Sequence, residues 1–173
     1  MQGIRSFIPT TEKVNYLQFL LQVGFHSLDF GSFVSSRSVP QMRDKADVLN
    51  QLDLSDTKTK LLAIVANLRG AETALKFEQI QYIGFPFSIS ENFQMRNTHK
   101  TILESLNILE KIKELTDKLN KSLVVYLSMG FGNPYGDPWS LNVVLQWVER
   151  LAQMKIEIIS LSDTIGQAVP LDI

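Results

Sequence analysis

Four short, almost purely apolar runs constrain this chain more than anything else in it. They are LLAIVA at 61–66, IQYIGFPF at 80–87, LVVYLS at 123–128 and IEIISL at 156–161. A run of that length and content is what a strand buried on both faces requires, and such strands belong to parallel sheets. A fifth strand is predicted earlier, at 25–31 (FHSLDFG). Helical patterns separate all five, and one precedes the first. Strands joined through helices run parallel with right-handed crossovers, which makes this an α/β chain.

The helical patterns carry their own boundaries. Thr10 or Thr11 is expected to cap the first helix, with Glu12 in its first turn. Val14, Leu17, Leu20, Leu21 and Val23 follow at helical spacing, and Gly24 is a natural stop. Residues 41–52 and 71–77 read as short helices, and 88–97 reads as a polar loop. The longest pattern spans 98–119, where Ile102, Leu106, Leu109, Ile112, Leu115 and Leu119 trace one apolar stripe. Asp137 and Pro138 predict the cap and first residue of a last helix. No linker or repeat divides residues 1–173, so one domain is expected.

The chain has 173 residues, enough for one domain. That is short of the ~250 typical of a closed eight-stranded α/β barrel. A net charge of −1 gives no reason to expect a nucleic-acid partner. The absence of cysteine rules out disulfides and thiolate chemistry within these residues. The apolar runs are too short for a membrane span, and the first residues lack the apolar core of a signal peptide. No membrane partner and a cytoplasmic location are therefore expected.

Polar residues recur at the C-terminal ends of the strands, where parallel α/β folds place their chemistry. The first strand contributes Asp29 and Ser32, and the second Asn67. The third contributes Ser88, Ser90 and Glu91, the fourth Tyr126 and Ser128, and the fifth Ser160 and Asp163. Between the first strand and Pro40 lies a loop crowded with hydroxyls: Ser32, Ser35, Ser36 and Ser38. The glycine-rich loop at 130–136 has no P-loop lysine, but its amides could cradle a phosphate or acyl group. The two histidines, His26 and His99, sit in no metal-binding spacing. No nucleophile elbow is present.

Several of these segments resemble one family in order and register. They are Gly31–Ser35 (GSFVS) with 39–42 (VPQM), Asn67 with Gly70, Ser90-Glu91 with Asn97, Tyr126-Leu127-Ser128 with Asn133-Pro134-Tyr135, and 160–166 (SLSDTIG). They resemble the 3-hydroxy-3-methylglutaryl-CoA lyases, among the metal-dependent lyases and Claisen-type synthases. The resemblance implies a partial (β/α)8 TIM barrel, roughly its strands 2–6, as one incomplete domain over residues 1–173. The family cleaves 3-hydroxy-3-methylglutaryl-CoA to acetyl-CoA and acetoacetate, in leucine degradation and ketone-body formation. It uses a divalent cation, Mg or Mn, and an acyl-CoA substrate, and the intact protein is expected to form a homodimer.

The resemblance also implies which parts lie elsewhere. The family's Arg-Asp pair would precede Met1, and its HxH pair, Asn ligand and catalytic Cys would follow Ile173. A fragment without turnover of its own is therefore expected, with no metal ligand or catalytic residue among these 173. Gln2, Asp29, Ser32, Asn97, Tyr126, Ser160 and Asp163 are the positions expected to place substrate and support the metal site. Asp29 stands where many members have Glu, and Val124 where others have Arg. Two alternatives remain open: a related homocitrate- or isopropylmalate-synthase-like enzyme, and a non-catalytic α/β binding module.

Overall fold

The computed structural model describes residue 1 and residues 3–172. The element order is α1 (Thr10–Gln22), β1 (Ser27–Ser32), α2 (Lys45–Gln51), β2 (Lys60–Ile64), α3 (Leu68–Ala74) and β3 (Ile80–Ser88). It continues through α4 (Glu91–Thr98), α5 (Ile102–Lys118), β4 (Ser122–Ser128), α6 (Leu141–Gln153) and β5 (Ile158–Ser162). The five strands form one sheet in the order β1-β2-β3-β4-β5. Contacts group the residues into two compact units, Met1–Ile83 and Gly84–Ile173. Among the described residues no helix is long and apolar enough to cross a membrane.

In the first unit β1 and β2 pair in parallel, with an irregularity between Asp29 and Gly31 that leaves Phe30 unmatched. The extra residue breaks the alternation of faces, so Phe30, Gly31 and Ser32 are all buried in succession. Helix α1 buries Lys13, Leu17 and Leu21, residues at i, i+4 and i+8. Neither Thr10 nor Thr11 caps it. The helix begins after Pro9 with no side-chain cap, because the Thr10 hydroxyl donates instead to Asp44 Oδ2 at 2.8 Å. Gly24 ends the helix as expected, at φ +82°, but Val23 is exposed.

The VPQM block turns out to be an internal tie. Gln41 Nε2 donates to the carbonyls of Ile4 and Ser6 at 2.8 and 2.5 Å, and its Oε1 accepts from the Ile8 amide at 3.1 Å. Met42 fills the space a side chain would occupy at Gly31, where a Cβ would sit 2.8 Å from its sulfur. The buried Lys13 ammonium donates to the Gln41 carbonyl at 2.5 Å and to Asp44 Oδ1 at 2.6 Å.

In the second unit the stretch expected to be a polar loop, 88–97, contains helix α4. Its sequence is polar nearly all round, so no apolar stripe announces it. Caps and one buried side chain hold it instead. The Ser90 hydroxyl accepts from the Phe93 amide at 3.1 Å, and His99 ends the helix at φ +56°. His99 therefore closes α4 rather than opening the long helix. Helix α5 starts at a capping box made by Thr101 and Glu104, and buries Leu106, Leu109 and Ile112.

The last helix also differs from expectation at its start. Ser140 caps α6 through the Val143 amide at 3.2 Å, not Asp137. Asp137 instead serves α4: its carboxylate accepts from the Ser90 hydroxyl, the Asn92 amide (3.0 Å) and Asn92 Nδ2 (2.7 Å). Burial raises the Asp137 pKa less than these bonds lower it. The Ser90 hydroxyl contributes most to holding the carboxyl below its ordinary value. Trp147 of α6 packs on Phe87 with ring centres 5.3 Å apart. Strands β4 and β5 pair in parallel over five consecutive residues.

Candidate functional site

Most of the polar residues at the strand ends are occupied locally. Asn67 caps α3 by accepting from the Gly70 amide at 2.8 Å. The Glu91 carboxylate accepts from the Ile102 amide at 3.2 Å. Asp163 accepts from the amides of Gln167 and Ala168, both at 2.9 Å, which hold its pKa below the ordinary carboxylate value. Asp163 is exposed, and it braces its own loop. Short polar side chains bond to nearby backbone in this way, which is why such positions are enriched at helix starts and turns.

In the first unit two of the expected residues lie on β1. Ser32 is buried, and Asp29 is exposed along its side chain. Groups packed about the Asp29 carboxyl still displace enough water to push its pKa up to about 6, against the lowering effect of the Gly31 amide. The raised value means that this shift favours the folded state below the ordinary carboxyl pKa, and that the benefit is lost as pH rises through about 6. Because the side chain is exposed, that contribution is small. A carboxyl-resolved NMR titration is expected to place the Asp29 midpoint near 6; a midpoint near the ordinary 3.8 would overturn the assignment.

Beside the C-terminal ends of β1 and β2 lies an open cleft of about 410 Å³. Residues 33–36 line it together with Lys45, Asn67, Arg69, Gly70 and Thr73. Gly70 lets α3 approach closely: a Cβ there would lie 2.7 Å from the Phe33 carbonyl. The cleft is polar and carries two cations, Lys45 and Arg69. The sequence reading did not single out either one, since neither falls in a motif.

In the second unit register brings two expected residues together. Tyr126 of β4 is the direct partner of Ser160 on β5, so their side chains stand next to each other on one face of the sheet, both half-buried. Ser128 and Ser162 are paired two residues further on. Asn97 lies on the exposed side of α4. Its neighbour Arg96 lies over the Tyr135 ring at 5.0 Å, and Phe93 stacks beside that ring at 6.5 Å. The spacing of Phe93 and Arg96, three residues apart, would have signalled a shared face had the segment been read as a helix. Gln2 lies outside the described residues.

The glycine-rich loop does not hold out its amides as a cradle. The amides of Tyr135 and Asp137 donate to Asn133 Oδ1 at 3.0 and 3.1 Å. Those of Gly130 and Gly132 donate to the carbonyls of Ser162 and Met129. The loop is a closed turn built on Asn133.

Among the described residues no three His, Cys, Asp or Glu side chains come together as metal ligands. His26 faces the Tyr82 ring at 6.1 Å, and His99 ends α4. These residues do not by themselves fit a divalent cation, so no chemical step is drawn through one.

No family model matches the chain. Curated relatives do. The chain is 33% identical over 170 residues to the hydroxymethylglutaryl-CoA lyase YngG of Bacillus subtilis, covering 98% of this chain and 56% of the relative. It is 30% identical to the cytoplasmic 3-hydroxy-3-methylglutaryl-CoA lyase of Rattus norvegicus, covering 49% of that protein. Among solved structures, the Bacillus subtilis HMG-CoA lyase superposes with a TM-score of 0.90 over 98% of this chain and 56% of its own. An HMG-CoA lyase from Acinetobacter baumannii, in complex with coenzyme A and 3-methylmalate, gives 0.89 at 25% identity and is 55% covered. The fold is thus α/β with five parallel strands, and it matches part of these enzymes' barrel. The chain is a relative of the hydroxymethylglutaryl-CoA lyases, spanning about half the length of those it matches.

Proposed function

We propose that this chain forms the acyl-CoA-binding side of a hydroxymethylglutaryl-CoA lyase. One observation carries the reading: similarity to these lyases runs along 98% of the chain, in sequence and in fold, with no segment set aside. The Acinetobacter relative was solved with coenzyme A, which supports a coenzyme A thioester as the ligand class.

Cleaving the carbon–carbon bond requires loss of the proton on the tertiary hydroxyl and stabilisation of the enolate that leaves. In the family a divalent cation, Mg or Mn, supplies much of that stabilisation. The residues here have other tasks. Asp29, with a pKa near 6, exchanges a proton readily close to neutral pH. In the first unit Ser32 supplies a hydroxyl that can orient a polar group of a ligand, and in the second unit the Tyr126–Ser160 pair does the same. Asn97 offers an amide to the pantetheine arm, Gln2 keeps its proposed role in placing substrate, and Asp163 serves by holding the shape of its own loop. Lys45 and Arg69, beside an open polar cleft, offer charge to the phosphates of coenzyme A. A cytoplasmic setting and a homodimer of the intact protein complete the proposal.

Calorimetric titration with coenzyme A, run beside an acetoacetate assay with Mn, tests this. The expected result is coenzyme A binding without acetoacetate formation, since binding and orienting groups are present while no ligand triad converges among the described residues. Failure to bind coenzyme A would overturn the assignment. Condensation activity with acetyl-CoA would move the chain to the synthases.

A further inference from the structure

The second unit carries a cleft of about 360 Å³ at the N-terminal ends of β4 and β5, the ends opposite those that carry Ser128 and Ser162. Helix α5 lines it with Lys113 and Asp117. The turn into β4 adds Lys121 and Ser122, and the turn into β5 adds Lys155 and Glu157. Three lysines against two carboxylates leave the lining net positive.

Lysines near a helix end commonly offset the negative pole of the helix dipole. Other residues already fill that task here. Lys118 lies in the last turn of α5 and Arg150 in that of α6. Backbone amides take the end carbonyls: the Lys121 amide donates to Thr116 at 2.9 Å, and the Ile156 amide to Leu151 at 3.2 Å. The Lys113 ammonium is held by Asp117, with both carboxylate oxygens at 2.6 Å. Lys121 and Lys155 are thus additional charges. The β4–β5 register sets Val124 opposite Ile158, and carried back to the strand entries it sets position 121 beside position 155. Like charges side by side on neighbouring strands are destabilising, and an anion between them reverses the sign. Lys155 also stands at φ +60°, a left-handed position that glycine fills with less strain.

We infer that this cleft binds a small organic phosphate. Lys121 and Lys155 hold the phosphoryl oxygens through charge-assisted hydrogen bonds, and the Ser122 hydroxyl adds a donor. Glu157 accepts from a hydroxyl of the organic part and repels a second anionic group, so the site selects a sugar monophosphate over a bare anion. The volume lies at the small end of ligand sites, which fits a molecule of that size. The seven residues of β4 span roughly 20 Å, so a ligand here acts on the fold and not at the opposite strand ends. The inference stands whether or not coenzyme A binds.

Isothermal titration of the 173-residue chain with ribose 5-phosphate at low salt is expected to show one saturable site. Inorganic phosphate, with no sugar hydroxyl for Glu157, should bind several-fold more weakly. Lys155→Gly should lower the ribose 5-phosphate affinity about fivefold while keeping or raising the thermal melt, because glycine suits the turn. Adding Lys121→Gln should bring the loss to about tenfold or more. Lys111→Gln combined with Lys118→Gln removes the same charge from exposed positions of α5 outside the lining, and should leave the affinity unchanged. No saturable binding, or an equal loss in that control, overturns the inference. Inorganic phosphate binding as tightly as ribose 5-phosphate overturns the ligand class. Coenzyme A affinity should be the same in wild type and in the Lys121/Lys155 variant; a parallel fall would assign the cleft to coenzyme A and overturn the inference.

Discussion

Asp44→Ala is expected to cost the fold about 3–5 kcal/mol, the penalty for leaving one member of a buried ion pair alone. Solvent reaches only 2% of Lys13 and 9% of Asp44, so screening is weak. With Asp44 removed, the Lys13 ammonium keeps the Gln41 carbonyl and the Phe7 ring 4.0 Å away, but loses its counter-charge. The Thr10 hydroxyl loses its acceptor as well. Urea melts should show the midpoint falling with little change in slope. A loss below about 1 kcal/mol would place the pair with ordinary surface bridges and overturn the argument. Lys13→Met combined with Asp44→Leu should recover much of the loss, because it removes both charges and fills the space.

The pH dependence has a definite sign. Burial alone would raise the Asp44 pKa. Hydrogen bonds from Lys13 and Thr10, together with the Lys13 charge, outweigh it and hold the carboxyl below its ordinary 3.8. The resulting stability is present above the unfolded-state value and is lost as pH falls through the folded one. The difference between wild type and Asp44→Ala should therefore be constant near neutral pH and shrink only in acid, below about pH 4.

The strands were legible because parallel strands buried on both faces must be apolar throughout, as at 61–66 and 123–128. The site was harder to read, because hydroxyl, amide and carboxylate side chains do two jobs with the same chemistry. Asn67, Ser90, Glu91 and Asp163 looked like members of a converging set, yet each bonds a backbone amide: Asn67, Ser90 and Asp163 in their own loop or helix start, and Glu91 at the start of the next helix. Tyr126 and Ser160 differ in being paired by strand register, which sequence spacing alone does not reveal. The VPQM block illustrates the same limit. It helped to point to the family, but Gln41 and Met42 hold the chain together internally. A short block can mark a family through its packing as well as through its chemistry.

Gln94→Leu is expected to destabilise the chain by about 2–5 kcal/mol, although it replaces one side chain with another of similar size. Gln94 is 1% exposed, and both ends of its amide are in use. Its Oε1 accepts from the Ser88 amide at 2.8 Å, and its Nε2 donates to the hydroxyls of Thr98 and Ser105 at 2.9 and 2.8 Å. Leucine would leave the buried Ser88 N–H without its acceptor and the Ser105 hydroxyl without its donor. Each stranded group costs about 1–3 kcal/mol, and the Ser105 hydroxyl can recover part by turning to a carbonyl on its own helix. Gln94→Glu separates the acceptor from the rest: it keeps an oxygen for the Ser88 amide but buries an ionisable group without a cation, so it too should be less stable than wild type. Hydrogen exchange at the Ser88 amide is the sharper readout. Its protection should drop in Gln94→Leu and survive in Gln94→Glu. Equal protection in all three would mean that the end of β3 does not depend on this bond. Because Gln94 joins the end of β3 to α4 and α5, its loss should also loosen the helix that carries Asn97, and coenzyme A affinity should fall with it.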